Sequence, residues 1–188
     1  MKLKTKRLVL REYEMKDAKS LAEHINHLKI SRYMEKVPYP YTLKDAQWFL
    51  NKSVKEARAA PRKEYDLCIN LKGSNEVIGA IGIMDVDRFA GTATFGYWLN
   101  YKYWRKGYMT EAVKCALDFA FKRLKLRRID VDVYTRNDAS NALARKLEFK
   151  LEGVRRKYKR VRATGKIVDT NVYGLLKEDW TKHRKRLR

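Results

Sequence analysis

The sequence predicts a mixed α+β fold, a mostly antiparallel central sheet with flanking helices, in the order β-α-α-β-β-β-α-β-α-β-β. Three observations predict it. Tyr65–Leu71, residues 77–86 and Thr92–Leu99 are successive strand-like runs, the first two joined by the turn Gly73-Ser74-Asn75. Met109, Val113, Ala116, Leu117, Ala120 and Leu124 recur at helical spacing, which predicts a helix over 107–124. Residues 129–134 then read as a short buried strand, followed by a short helix over 139–147. Antiparallel strands that lead into a β-α-β-α unit place a parallel joint near the middle of the sheet. Ligands favour the carboxyl ends of strands at such a switch point, here between the strand ending at Leu99 and the one ending at Tyr134.

The other elements follow in order. Residues 8–13 alternate apolar and charged side chains, as a half-buried strand does. Asp17 stands in the N-cap region of a helix through His27, with Leu21 and Ile25 at helical spacing. Pro38 and Pro40 impose a loop. Thr42 is placed to cap a helix that carries Ala46, Phe49, Leu50 and Val54 on one face, and Pro61 ends that segment. Residues 149–161 and Ile167–Leu176 form a final hairpin around Ala163-Thr164-Gly165. No repeat or linker interrupts the chain, so one domain over 1–188 with a short basic tail is expected, as a monomer or a homodimer.

At 188 residues and 45% hydrophobic content the composition is globular and excludes a disordered chain. The outlying number is charge: 44 Lys plus Arg against 22 Asp plus Glu, a formal +22. A basic surface for RNA or ribosomes, attraction of an acidic substrate or cofactor, and a Lys-rich proteome all account for it. Cys68 and Cys115 are far apart, with no partner at metal-ligand spacing, so a reduced cytoplasmic location is expected. His24 and His27 make half a metal site with no third ligand in view, and no metal is expected. No apolar stretch approaches the roughly 20 residues of a membrane span, so no membrane partner is expected.

The chemistry concentrates in Tyr103-Trp104-Arg105-Lys106-Gly107-Tyr108-Met109-Thr110-Glu111-Ala112, where a strand ends, a short basic loop follows and the long helix begins. The first N–H groups of a helix have no internal partner, and with the helix dipole they form an anion site. Gly107 lets the backbone approach a phosphate closely, and Arg105 and Lys106 add positive charge. By itself this pattern also describes an ordinary exposed basic loop.

The wider pattern resembles the GCN5-related N-acetyltransferases, and within them the Rim-type branch that acetylates the N-termini of ribosomal proteins. Four stretches between Arg7 and Trp180 carry the resemblance. They are Arg7-Leu8-Val9-Leu10-Arg11; Gly96-Tyr97-Trp98-Leu99 together with the basic loop; Asn137-Asp138-Ala139-Ser140-Asn141; and Leu147-Glu148-Phe149-Lys150-Leu151-Glu152-Gly153. The resemblance implies that acetyl-CoA is the co-substrate and that an amine attacks its thioester directly. It implies that the pantetheine arm lies between two splayed strands and bonds the backbone around Trp98 and Leu99. The N–H groups of the 104–110 loop (Trp104, Arg105, Lys106, Gly107, Tyr108, Met109 and Thr110) would hold the pyrophosphate. Asn137, Ser140 and Asn141 would reach the cofactor from the other side.

Several positions depart from the family pattern. Relatives often carry a Tyr on the helix after Asn-x-x-Ser to protonate the leaving thiolate, but Leu143, Ala144 and Arg145 stand there. Ser140 is the alternative acid, or else only a helix cap. The strand Glu of many relatives is also missing, with Thr94 and Phe95 in that region, which leaves Asp85 and Glu111 as candidate bases. Glu111 has a structural reading too, since an acid suits the first turn of a helix. Tyr97 lies close to the expected reaction centre, as a catalytic group or as a cleft wall. Met109 replaces a small loop residue, with its side chain free to turn into the core. Glu148 replaces the usual Gly before Phe149, so a differently shaped turn is expected.

The acceptor implied by the branch is a protein N-terminal amine. A small amine such as a polyamine or an antibiotic is the second option, and a basic RNA- or ribosome-binding module on a degenerate fold is the third. The basic run 155–162 and the tail 183–188 read either as ribosome or RNA contacts or as a solvated face and a frayed terminus.

Overall fold

The computed structural model describes residues 1–186, and eight strands lie in a single sheet. In chain order these are β1 (Lys2–Lys4), β2 (Leu8–Glu12), β3 (Tyr65–Leu71), β4 (Gly79–Asp87), β5 (Thr92–Leu99), β6 (Arg128–Tyr134), β7 (Lys150–Arg160) and β8 (Ile167–Leu176). Their spatial order is β1-β2-β3-β4-β5-β6-β8-β7. Every neighbouring pair is antiparallel except β5 and β6, which run parallel. The helices are α1 (Ala18–Ile25), α2 (Leu28–Ser31), α3 (Leu43–Ala57), α4 (Tyr108–Lys122), α5 (Asp138–Lys146) and α6 (Lys177–Arg186). The mixed architecture agrees with the fold class expected from the sequence. It adds β1, the short α2 and the C-terminal α6.

Period-two alternation sorts the strand residues onto two faces. Leu8, Leu10, Leu67, Ile69, Ile81, Ile83, Phe95 and Leu99 point to one face and pack against Ala112, Val113, Ala116, Leu117, Ala120 and Phe121 of α4. Cys68, Ala80 and Trp98 point to the other, against Leu21 and Ile25 of α1 and Ala46 and Leu50 of α3. Thr42 caps α3 in a capping box with Asp45, as its position before the apolar face suggests. Trp180 anchors α6, its indole N–H donating to Asp118 of α4 at 2.9 Å, and the tail continues this helix through Arg186, with Arg184 2.6 Å from Asp118 and His183 3.4 Å from Glu148. Leu187 and Arg188 lie outside the described residues.

Two local features position the site. Gly79 of β4 faces Leu99 of β5, and a Cβ there would meet the Trp98 carbonyl at 2.6 Å, so only glycine permits this close approach. At the exit of α5, Glu148 takes the left-handed conformation itself, with φ 66°. The turn therefore keeps the shape a glycine would give it, at a cost in backbone strain.

Candidate active site

β5 and β6 pair only through Thr92, Ala93 and Thr94 with Arg128, Ile129 and Asp130. Residues 95–99 and 131–134 run on without pairing to each other, and a gap opens between the strands at their carboxyl ends. The orientation of the β5 backbone follows from one bond: the Asn100 N–H donates to the Ile78 carbonyl at 2.8 Å, toward β4. By alternation, the polar backbone groups of Leu99 and Tyr97 face the gap. The Leu99 carbonyl already accepts the Trp104 indole N–H at 2.7 Å, which fastens the basic loop to the strand end.

That loop then turns sharply. Arg105 and Gly107 both adopt positive φ, 60° and 76°, on either side of Lys106. Left-handed residues set next to right-handed ones turn successive N–H groups into a common concavity that suits an anion. Gly107 is the N-cap of α4 and offers no side-chain cap, so no side chain competes for the N–H groups of the first turn. Arg105 and Lys106 are exposed beside it. Met109 packs against the main core, so its bulk leaves the loop backbone clear.

Across the gap, the Tyr97 hydroxyl and the Ser140 hydroxyl of α5 lie 2.7 Å apart. Burial pushes the Tyr97 hydroxyl up to about 12, so it keeps its proton at neutral pH. The cap of α5 belongs to Asn137, whose Oδ1 accepts the Ser140 N–H at 3.3 Å. The Ser140 hydroxyl is thus free of the capping role and is engaged with Tyr97.

Four expected site residues fall elsewhere. Asp85 sits in a β-bulge with φ 53°, exposed at the far end of β4. Met84 pairs with Thr94 there, about 17 Å along the strand from Leu99 at roughly 3.3 Å per residue. Glu111 faces the β1–β2 turn, where its carboxylate accepts the Thr5 hydroxyl at 2.5 Å, the Arg7 N–H at 2.8 Å and the Arg7 Nε at 2.7 Å. Burial acts against its ionisation, but the bonds from Thr5 and Arg7 prevail and hold its carboxyl below the usual range, which does not suit a base. Asn141 is buried and spent internally. Its Nδ2 donates to the Tyr134, Thr135 and Asn137 carbonyls, while its Oδ1 accepts from Asn171 and the Tyr173 hydroxyl. Trp98 turns its side chain into the core under α1 and α3 and its backbone toward Ala80, so it does not face the gap.

Sequence reasoning missed three supports of the site. Arg7 also donates to the Lys106 carbonyl at 2.9 Å and lies 4.3 Å over the Tyr108 ring. Asn171 and Tyr173 hold Asn141 from β8. Each contact joins segments far apart in the chain, and no local pattern announces it. On the β6 side of the gap, Arg155 reaches Asp132 at 2.9 Å, and Lys159 reaches Glu35 of the loop after α2 at 2.9 Å.

The sheet thus opens at its one parallel joint, with an anion-ready helix head beyond the end of β5 and a hydroxyl pair that joins β5 to α5. Residues 7–150 match the family model described as "Acetyltransferase (GNAT) domain", and the chain belongs to this family of acetyltransferases. It is an N-acetyltransferase of GNAT type, with acetyl-CoA as co-substrate. The chain is 32% identical to "Uncharacterized N-acetyltransferase p20" of Bacillus licheniformis, over 95% of this chain and 97% of that protein. It is 26% identical to "Putative ribosomal N-acetyltransferase YdaF" of Bacillus subtilis, over 92% and 93%. It also resembles the structure of the microcin C7 self immunity acetyltransferase MccE in complex with acetyl-CoA and AMP. That match has a TM-score of 0.77 and 25% identity, and covers 91% of this chain and 93% of the other.

Proposed function

We propose that the chain is a single-domain enzyme of the Rim-type branch that acetylates the α-amine at a protein N-terminus. Acetyl-CoA supplies the acyl group as an activated thioester. The N–H groups of the 105–110 loop bind its pyrophosphate, helped by the charges of Arg105 and Lys106. The gap-facing backbone of Tyr97 and Leu99 aligns the pantetheine arm. The Ser140 hydroxyl, with the Tyr97 hydroxyl behind it, holds a proton for the departing thiolate. Asn137 fixes the start of α5, and so the place of Ser140.

The observation that carries the donor half is the Tyr97–Ser140 pair, 2.7 Å apart, which joins β5 to α5 at the gap. It supplies the acid that the missing helix Tyr would otherwise provide. The acceptor half is supported by the basic strand β7 on the β6 side of the gap, and by the name of the relative YdaF. Cations there suit an acceptor carried on an acidic or RNA-rich particle, and disfavour a free polycation.

The test is turnover of acetyl-CoA against peptides with free N-termini, alongside spermidine and an aminoglycoside, with the acetylated atom located by mass spectrometry. Peptide α-amine acetylation is expected. Turnover of the small amines alone, or CoA binding with no turnover of any peptide, overturns the acceptor assignment.

A further inference from the structure

We infer that Arg7, in the turn between β1 and β2, is a positioning residue for CoA: it holds the 104–110 loop open to an anion and screens Glu111 from that anion. This rests on the assignment of the loop to the pyrophosphate, and the experiment below separates the two.

The geometry has three parts. First, a loop that offers its N–H groups to an anion must turn its carbonyls away and give them partners. The Lys106 carbonyl lies between the two left-handed residues Arg105 and Gly107, and the Arg7 guanidinium donates to it at 2.9 Å. Second, Glu111 stands in the first turn of α4, the same positive end that would take a phosphate. A bare carboxylate there repels an incoming anion. Arg7 covers it with its Nε at 2.7 Å and its backbone N–H at 2.8 Å, and the Thr5 hydroxyl adds a third bond at 2.5 Å. Third, the guanidinium is itself held in place. It lies 4.3 Å over the Tyr108 ring, and a Cβ on Gly107 would come within 3.4 Å of its outer nitrogen. One side chain therefore touches the crest of the loop, the head of the helix and the acid of its first turn.

Arg is the residue this arrangement needs. Its fork serves a carboxylate and a carbonyl at once in fixed directions, which a lysine ammonium on a flexible stem does not reproduce. The opening motif Arg7-Leu8-Val9-Leu10-Arg11 thus has two unlike arginines. Arg11 forms a bidentate pair with the buried Asp17 at the start of α1, at 2.8 and 2.7 Å. Arg7 faces the donor loop.

The alternative is that Arg7 only ties the β1–β2 turn to α4. The two ideas differ in which ligand suffers. Dissociation constants for CoA and for pantetheine, which lacks the pyrophosphate, are measured by calorimetry and competition on wild type, Arg7→Met, Arg7→Met/Glu111→Gln, Arg7→Lys and Gly107→Val. Arg7→Met is expected to weaken CoA about tenfold or more relative to pantetheine. Adding Glu111→Gln is expected to recover several-fold of that loss, because it removes the exposed charge. If Arg7→Met does not fold, Arg7→Lys is expected to lower the CoA-to-pantetheine preference by a smaller factor. An unchanged preference in a folded Arg7 variant, or equal weakening of both ligands, overturns the inference. Gly107→Val separates the underlying reading. If it too leaves CoA affinity intact, the loop is not the pyrophosphate site. If it weakens CoA while the Arg7 variants do not, only the role of Arg7 fails.

Discussion

The two sides of the gap between β5 and β6 are built in opposite ways. On the β5 side, the proposed donor side, the chain folds back on itself repeatedly: Trp104 onto Leu99, Arg7 onto Lys106 and Glu111, and Met109 into the core. On the other side stands β7, an edge strand exposed along nearly its whole length, with Leu151, Val154 and Tyr158 open to solvent. Its backbone pairs with β8 alone, and its side chains reach the rest of the protein through surface ion pairs, Lys150 with Asp179, Glu152 with Arg128, Arg155 with Asp132 and Lys159 with Glu35. The difference suits a transferase. The donor is one invariant molecule, so a rigid and internally satisfied frame can be shaped to it in advance. An exposed strand, by contrast, can change its side chains without disturbing the core, which suits the proposed acceptor wall.

The sharpest way to break this comparison is at the hydroxyl pair. Ser140→Ala is expected to lower kcat by about 10²–10⁴, the usual contribution of a positioned acid, with little change in the KM for acetyl-CoA. Tyr97→Phe is expected to fall short of that loss, since Ser140 keeps its own proton. Equal KM and kcat losses would assign the pair to binding instead. Tyr97 also makes a prediction about pH. Burial raises its hydroxyl to about 12 from an ordinary value of 10.0, so the folded state holds this proton after the unfolded state has released it. That contribution to stability is complete below about pH 10 and is lost as pH rises toward 12. Thermal melts from pH 8 to 12 check it: the alkaline loss should shrink in Tyr97→Phe.

Next in size is Asn141, the joint of the frame between β6, α5 and β8. Replacement by Ala takes the acceptor from the Tyr173 hydroxyl and the Asn171 amide and the side-chain donor from the Thr135 carbonyl, while the Tyr134 and Asn137 carbonyls keep the N–H groups of Asn137 and Asn141. A loss of about 3 kcal/mol is expected, roughly 10 °C in Tm. Differential scanning calorimetry measures it. A loss below about 1 kcal/mol would show that water replaces these bonds and that the β6–α5 corner is not rigid.

Much of the frame could be read in advance because it repeats locally. The periodicity from Met109 to Leu124 predicted α4, the strand-like runs 65–71 and 92–99 predicted β3 and β5, and the alternation in 8–13 predicted β2. The anion-ready loop was readable for the same reason, since a strand end, a glycine and a helix head are contiguous. What escaped was set by contacts between distant segments. Glu111 was a candidate base until Thr5 and Arg7 claimed both its oxygens. Asn141 was a candidate ligand until Asn171 and Tyr173 arrived from β8. Asp85 was placed on the correct strand, but register put it at the wrong end, which no single-strand pattern reveals. Ser140 reads equally as a helix cap or an acid in the sequence; Asn137 takes the cap, which leaves the Ser140 hydroxyl to Tyr97.

The smallest expected effect on stability lies in the hairpin, and it tests the other half of the comparison. Arg155 and Asp132 are both open to solvent, at 47% and 26% of their side-chain surface. Such pairs contribute less than about 1 kcal/mol, because water screens the attraction and two side chains lose freedom to form it. Arg155→Ala should therefore barely move Tm and should leave CoA affinity unchanged. Its consequence should appear in the acceptor alone, as a rise in the KM for the preferred peptide that grows as salt is lowered, since screening weakens any field the hairpin projects. A shift in CoA affinity would mean that the two sides of the gap are coupled through β6, where Asp132 sits, and that the acceptor wall belongs to the same rigid frame as the donor loop.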